Sequence, residues 1–164
     1  MSPLRVPYFA QRFDFTCGPA SVRMVLAYFG MSVGPLRAWW YTHVSRSGTT
    51  RRNLIRAFRA AGLHVHAHPD SSIAEVRRFV ERGVPVVVNY REPDNDEGHY
   101  AVVIGVTMRH IVLRDPYHGP RLALPLSEFR RRWLGSRPHH PRWMLAAMPH
   151  PLSLPQMCPQ RERA

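Results

Sequence analysis

The chain has 164 residues, 45% of them hydrophobic and four of them Trp, which indicates one folded domain rather than a disordered protein. All 23 basic residues are Arg, and the formal net charge is +12. These arginines are scattered along several segments, so a nucleic-acid-binding protein is not favoured, whereas an acidic partner stays open. No apolar run reaches the ~20 residues that a membrane-spanning helix needs.

The cysteines and the N-terminus indicate the compartment. Cys17 and Cys158 are the only two cysteines, and they form no disulfide framework, which is typical of a reducing environment. The first residues lack the basic start and the apolar block of a secretory signal. We therefore expect a cytoplasmic protein.

The first half of the chain has a mostly helical pattern. Apolar residues recur at helical spacing in three segments, residues 17–29, 35–44 and 50–61. A short alternating strand, LHVHAH, follows at 63–68. The next helix opens at Ser72, with Glu75 three residues later as a capping box, and it ends at Gly83.

The second half predicts short strands separated by turn-forming residues. These strands are expected at residues 84–90, 99–106, 110–115, 121–126 and 142–148, with one helix at 126–135. Helices first and strands afterwards predict an α+β domain with an antiparallel sheet over residues 1–148. Residues 149–164 are Pro-rich and polar, and they predict a loose C-terminal tail.

Cys17 stands at the start of the first predicted helix, within TCGPAS. A free thiol has a pKa near ~8.5, and a helix N-terminus favours the thiolate through its dipole and free N–H groups. Pro19 suits the first helical turn, and Gly18 would let a substrate backbone pass close to the sulfur. A small buried cysteine without chemistry is the alternative. Partner residues must decide between the two.

His99 and Asp115 are the candidate partners of Cys17, as base and as orienting group. His99 opens an apolar strand, and the following strand ends at Asp115. A hairpin that reverses at Thr107 would place the two side chains on one face while opposing apolar residues throughout, Ala101 to Leu113 and Val103 to Ile111. Taken singly, His99 also fits a core or edge histidine, and Asp115 a turn-forming residue before proline.

Gln11 completes this candidate site. Acyl transfer builds negative charge on the carbonyl oxygen, which a side-chain amide and a backbone N–H can stabilise together. Gln11 lies six residues before Cys17 and is expected to reach back across the intervening loop.

Four segments together resemble the bacteriocin-processing (double-glycine leader) cysteine peptidase family of the papain-like superfamily: VPYFAQRFDFTCGPASVRMVLAYFG, SGTTRRNLIRAFRAAGL, GHYAVVIGV with IVLRDPYHGP, and LSEFRRRWLG. The resemblance spans residues 6–148. It implies a papain-like α+β fold, with an N-terminal helical half packed on a C-terminal antiparallel sheet half. It assigns Cys17 as nucleophile, His99 as general base and acid, Asp115 as orienter, and Gln11 with the Cys17 backbone N–H as oxyanion hole.

The resemblance also bears on substrate and partner. Many members form part of an ABC exporter and cut leader peptides after Gly-Gly. This chain has no membrane helices and no Walker sequence, so we expect any exporter to be a separate partner. Thr16 stands where Asp is frequent, and Ser21 where a second Cys is common. We expect a peptide or precursor-protein substrate cut after a small residue such as Gly, contacted by Gly18, Gly98 and Tyr100.

Two other functions stay open, an acyltransferase or deamidase using the same thioester, and a non-catalytic peptide-binding domain of this fold. No cofactor is expected. His64, His66 and His68 alternate and would share one face of a strand. Three imidazoles can bind zinc, but the sequence suggests no fourth ligand nearby, so an exposed strand face without a metal is favoured.

Overall fold

A computed structural model of the chain describes residues 2–133 and 142–151. Within these residues the helices are α1 (Cys17–Tyr28), α2 (Pro35–Thr42), α3 (Arg51–Ala60), α4 (Ile73–Glu81) and α5 (Leu126–Arg132). The strands are β1 (His64–His68), β2 (Val86–Arg91), β3 (Gly98–Val106), β4 (His110–Asp115), β5 (Gly119–Pro125) and β6 (Met144–Met148). Every predicted element is present. Most of the predicted tail at 149–164, with Cys158, lies outside the described residues, so the proposed domain boundary stays a prediction.

Local hydrogen bonds explain where the helices begin and end. The Ser72 hydroxyl accepts a hydrogen bond from the Glu75 backbone N–H at 3.1 Å, so the predicted cap of α4 is formed. Thr50 caps α3 in the same way, accepting from the N–H of Asn53. Past the end of α4, Gly83 has a φ of 80°, a left-handed conformation that favours glycine.

The six strands form one antiparallel sheet in the order β1-β6-β2-β3-β4-β5. The last of the described strands, β6, therefore lies between the first two. The predicted α+β class with an antiparallel sheet is confirmed.

Helices cover both faces of this sheet. α1 and α3 pack on one face, where Val87, Val102 and Leu145 are buried. α4 and α5 pack on the other face, against neighbouring strand residues such as Val86 and Val103. Because alternate residues of a strand point to opposite faces, burial of both faces explains the unbroken apolar runs of β2 and β3.

The β3–β4 hairpin forms, but its predicted register is wrong. Val103 pairs with Leu113 rather than with Ile111, and the register shifts again at a bulge before Gly105. The reversal lies beyond Thr107, whose hydroxyl accepts from the backbone N–H groups of Arg109 and His110 and so fixes the turn there. At Val103, on the side of the bulge toward the site, the slip is two residues, so side chains there keep their predicted face and the consequence for the site is small.

None of the helices in the described ranges is both long and apolar enough to cross a membrane.

Candidate active site

Cys17 is the first residue of α1 and is buried, with 6% of its surface exposed. The turn before it is closed by the Thr16 side chain. The Thr16 hydroxyl accepts from the backbone N–H groups of Arg12 and Phe13 and donates to the Phe13 carbonyl at 2.8 Å. This turn sets the angle at which the chain enters α1, and therefore the place of the sulfur.

Asp115 ends β4 and is fully buried. One carboxylate oxygen, Oδ1, lies 3.0 Å from His99 Nε2 and accepts from the backbone N–H groups of Tyr117 and His118, each at 2.9 Å. The other, Oδ2, accepts from the Tyr90 hydroxyl at 2.6 Å. Burial alone would raise the pKa of Asp115, but the hydrogen bonds and the charge of His99 lower it. The carboxylate is thus held ionised.

His99 lies in β3 with its ring 6% exposed. Its Nε2 faces Asp115, which leaves Nδ1 as the ring nitrogen available to a sulfur. Burial lowers the pKa of His99, but hydrogen bonds and charge from Asp115 and Cys17 outweigh burial and raise it to about 10. The Cys17 sulfur, the His99 imidazole and the Asp115 carboxylate therefore interact with one another through His99.

The sequence did not indicate Tyr90. It lies directly opposite His99 in the β2–β3 pair, and the two rings meet edge to face at 5.9 Å. Burial raises the pKa of Tyr90, with added contributions from the Asp115 charge and hydrogen bond. The available signal was a phenol near the end of a Val-rich strand, since a buried tyrosine usually has a hydrogen-bond partner.

A second contact that the sequence did not predict holds the backbone of His99. Arg51 donates to the side-chain oxygen of Asn89 at 3.0 Å, and the Asn89 amide donates to the His99 carbonyl at 3.2 Å. These bonds connect α3 to the strand residue that carries the imidazole.

Gln11 lies in the loop before α1 and is anchored beside Asp115. Its backbone N–H donates to the Pro116 carbonyl at 2.9 Å. Its side-chain amide makes one long bond, 3.4 Å, to the Asp14 carbonyl, and its buried Oε1 has no partner among the described residues. Gln11 also lines a cavity of about 560 Å³ with Thr16 and Trp39.

The three predicted substrate-contacting residues differ in their surroundings. Gly98 is exposed at the start of β3. Gly18 is buried in α1, and a side chain built on it would meet Thr49 at 2.7 Å, so close packing already requires glycine there. The Tyr100 side chain is buried against Trp143. Their contacts with substrate stay predictions.

Two groups among the described residues have the composition of metal ligands. One comprises His66, His68 and Glu75, on β1 and α4. The other comprises Glu92, Asp94 and His118, close to the Asp115 turn. Both lie outside the Cys17, His99 and Asp115 group.

Comparisons with known sequences identify relatives over most of the chain. Residues 3–139 match the model of the Peptidase_C39 like family. An uncharacterized protein of Methanothermobacter marburgensis is 30% identical over 113 residues, which cover 66% of this chain and 70% of the relative.

Solved structures share the fold at lower identity. A double glycine motif protease from an AMS/PCAT transporter, crystallised with its leader peptide, has a TM-score of 0.73 at 24% identity, covering 91% of this chain and 95% of that one. The peptidase domain of Streptococcus ComA gives 0.72 at 17%, covering 92% and 100%. A putative C39-like peptidase from Bacillus anthracis gives 0.73 at 18%, covering 90% and 98%.

Proposed function

This chain belongs to the Peptidase_C39 like family, and from that membership we propose that it is a cysteine peptidase that cuts a peptide bond through a thioester on Cys17. The resemblance to double-glycine leader peptidases is confirmed by the family match and by the fold of the solved relatives. The observation that carries the proposed activity is the buried His99–Asp115 pair next to a cysteine that begins a helix.

In the proposed reaction, His99 takes the Cys17 proton and the thiolate attacks the scissile carbonyl carbon. The imidazolium then gives that proton to the leaving amine as the C–N bond breaks, which leaves an acyl group on the sulfur. Neutral His99 next removes a proton from water, and the hydroxide attacks the thioester. The acid product leaves, and the proton returns to the sulfur. Asp115 holds the ring in the tautomer that presents Nδ1 to these partners.

We further propose that the backbone N–H of Cys17 and the side chain of Gln11 bind the oxyanion. The N–H groups of the first helical turn have no intrahelical partners, so that of Cys17 is free to donate. The amide of Gln11 gives up little when it turns toward the carbonyl oxygen, since its present bond is 3.4 Å long. Each such donor is typically worth ~10²–10³ in kcat.

The proposed substrate is an extended peptide with a small residue, such as Gly, before the scissile bond. Gly98 is exposed beside His99 and offers no side chain that would obstruct a peptide. The solved relative with a leader peptide supports this substrate class.

Cleavage of defined peptides tests the proposal. Wild type, Cys17→Ala and His99→Ala are incubated with peptides that contain a Gly-Gly junction and with matched peptides that have Val before the bond. The masses of the products are measured by mass spectrometry. We expect two hydrolysed fragments from the Gly peptide with wild type alone. Loss of ammonia or an acyl transfer product would instead identify a deamidase or an acyltransferase. Binding without any product, together with a Cys17 thiol that labels no faster than Cys158, would identify a peptide-binding domain.

A further inference from the structure

His66, His68 and Glu75 form a cluster at the outer edge of the sheet, where α4 lies over β1. Both histidine Nε2 atoms point at the same carboxylate oxygen, Glu75 Oε1, at 3.2 Å for His66 and 2.8 Å for His68. All three atoms lie within 4.8 Å of one another. We propose that this cluster is a binding site for a divalent transition-metal ion, best matched by zinc.

The contacts of His68 leave one of its ring nitrogens facing Glu75. Its Nδ1 lies beside the Pro69 carbonyl, and because a carbonyl only accepts hydrogen bonds, Nδ1 carries the hydrogen. In neutral His68 the lone pair is then on Nε2, facing a carboxylate oxygen that is also an acceptor. A second imidazole Nε2, from His66, faces the same oxygen. A cation between these atoms would satisfy them together, as a proton on the imidazole also would.

The cluster has the ligands and the outer contacts that zinc sites use. Two imidazoles and one carboxylate are a common set of three protein ligands, with the fourth position open to water. Zinc bonds of about 2.0–2.1 Å in a tetrahedron place ligand atoms roughly 3.4 Å apart, so the two nitrogen-to-oxygen separations of 3.2 and 2.8 Å need only small outward shifts. A metal-binding histidine usually donates its other ring N–H to a carbonyl or carboxylate, as His68 does to Pro69.

The surrounding fold holds the three side chains in place without closing the site. His66 and His68 alternate along β1 and so share a face, and the His66 ring packs on Phe79 of α4 at 5.3 Å. Glu75 sits in the first turn of α4, fixed by its backbone bond to Ser72. The side chains are 40%, 37% and 23% exposed for His66, His68 and Glu75, so an ion can enter from solvent.

The second group, Glu92, Asp94 and His118, does not offer an equivalent site. The Glu92 carboxylate already accepts from the backbone N–H groups of Asp94 and Asn95 and lies 2.7 Å from His118. The Asp94 carboxylate is 3.9 Å from the other nitrogen of His118. Backbone N–H groups therefore occupy the Glu92 carboxylate, whereas the recorded side-chain contacts of the Glu75 carboxylate come from the two histidines.

Metal at the proposed site would join edge strand β1 to α4. Among the described residues β1 has a sheet partner on one side only, β6, and the ion would add a cross-link on its helix-covered face. Binding to the folded state alone raises apparent stability with ion concentration. This role concerns stability, and it does not depend on the proposed peptidase reaction.

Zinc titration of the full-length chain without a histidine tag tests the site. Zn²⁺ binding is measured by calorimetry for wild type, His68→Gln, Glu75→Gln and the control His64→Gln, which changes a neighbouring β1 histidine outside the cluster. We expect wild type and His64→Gln to bind one Zn²⁺ ion each. The affinity of His68→Gln and Glu75→Gln for Zn²⁺ should be at least about tenfold lower. Thiol binding at Cys17 or Cys158 is common to all four proteins and cancels in the comparison.

Thermal unfolding provides a second readout. Added Zn²⁺ should raise the melting temperature of wild type and His64→Gln, but not of His68→Gln or Glu75→Gln, with folding of each variant checked by circular dichroism. Equal uptake and equal shifts in wild type and His68→Gln would overturn the proposal. The same holds if no Zn²⁺ is bound by any protein, which would identify the cluster as a protonated His68–Glu75 ion pair.

Discussion

Tyr90 and His99 are directly opposed residues of neighbouring strands, and their side chains meet at the same buried carboxylate. The phenol bonds one oxygen of Asp115 at 2.6 Å and the imidazole lies 3.0 Å from the other. Tyr90 touches none of the proposed reacting atoms, so it is a positioning residue. It fixes the carboxylate plane, which in turn fixes the imidazole.

Tyr90→Phe should therefore impair catalysis more than folding. The change leaves Asp115 Oδ2 without its donor, at a cost of ~1–3 kcal/mol in the free energy of unfolding. We expect kcat/KM to fall about tenfold through kcat, since the imidazole is held less firmly. Steady-state kinetics on a cleaved peptide and urea unfolding measure the two effects.

Tyr28→Phe is the matched control for this substitution. Tyr28 also donates one hydroxyl hydrogen bond, to the Gly83 carbonyl at 2.9 Å. It lies at the C-terminal end of α1, whereas Cys17 lies at the N-terminal end. It should lose a similar amount of stability and keep its kcat. If both variants lose kcat to the same degree, Tyr90 has no specific role in positioning His99.

The raised pKa of His99 predicts the pH dependence of stability and activity. The pKa is about 10 in the folded protein against 6.5 for the free side chain, because Asp115 and Cys17 favour the imidazolium. The resulting stabilisation is complete below pH 6.5 and is lost as pH rises through about 10. The imidazolium is also the proton donor to the leaving amine, so kcat/KM should fall over the same alkaline range.

Asp115→Asn tests the cause of that alkaline limb. Removing the carboxylate charge should shift the limb to lower pH, and a pH–rate profile of both proteins measures the shift. A limb that stays in place in the variant would show that another group controls it. Urea unfolding between pH 6 and 10 measures the free energy of unfolding separately from activity.

The fold could be predicted from the sequence because its signals are local. Helical periodicity, the Ser72 cap and the glycines after α3 and α4 are properties of short segments, and each predicted element is found. The nearness of His99 and Asp115 was also predictable, although from the wrong register. Diagonal neighbours on one face remain within reach of long side chains, so a two-residue slip preserved the pair.

The contacts that support the site could not be predicted in the same way. Tyr90 and Asn89 act on His99 across a β2–β3 pairing, and the intervening loop of acidic residues carries no register signal. Glu75 was recognised only as a capping residue, since its position against His66 and His68 depends on how α4 crosses β1. Such contacts depend on the packing of distant segments, which no local pattern encodes.

Gly18→Ala should destabilise the protein and disturb Cys17. A Cβ on Gly18 would lie 2.7 Å from the Thr49 side chain, so α1 or the loop before α3 must shift. Overpacking of this kind costs ~1–3 kcal/mol, and the displaced helix start should lower kcat. Gly34→Ala is the control, because nothing lies within 4 Å of its Cβ position and its φ is −69°. Denaturant unfolding should separate the two variants, and equal stabilities would refute the packing explanation.

Thr16→Val should slow catalysis by loosening the turn before Cys17. Valine has the shape of threonine but lacks the hydroxyl that binds the N–H groups of Arg12 and Phe13 and the Phe13 carbonyl. Thr16 is buried, so these groups lose partners that water replaces poorly, at a cost of ~1–3 kcal/mol. Thr16→Ser keeps the hydroxyl and should keep most of the activity.

The rate of Cys17 alkylation by iodoacetamide measures the effect on the sulfur directly. This rate should fall in Thr16→Val and stay near wild type in Thr16→Ser. If Thr16→Val reacts as fast as wild type, the hydroxyl does not position the sulfur.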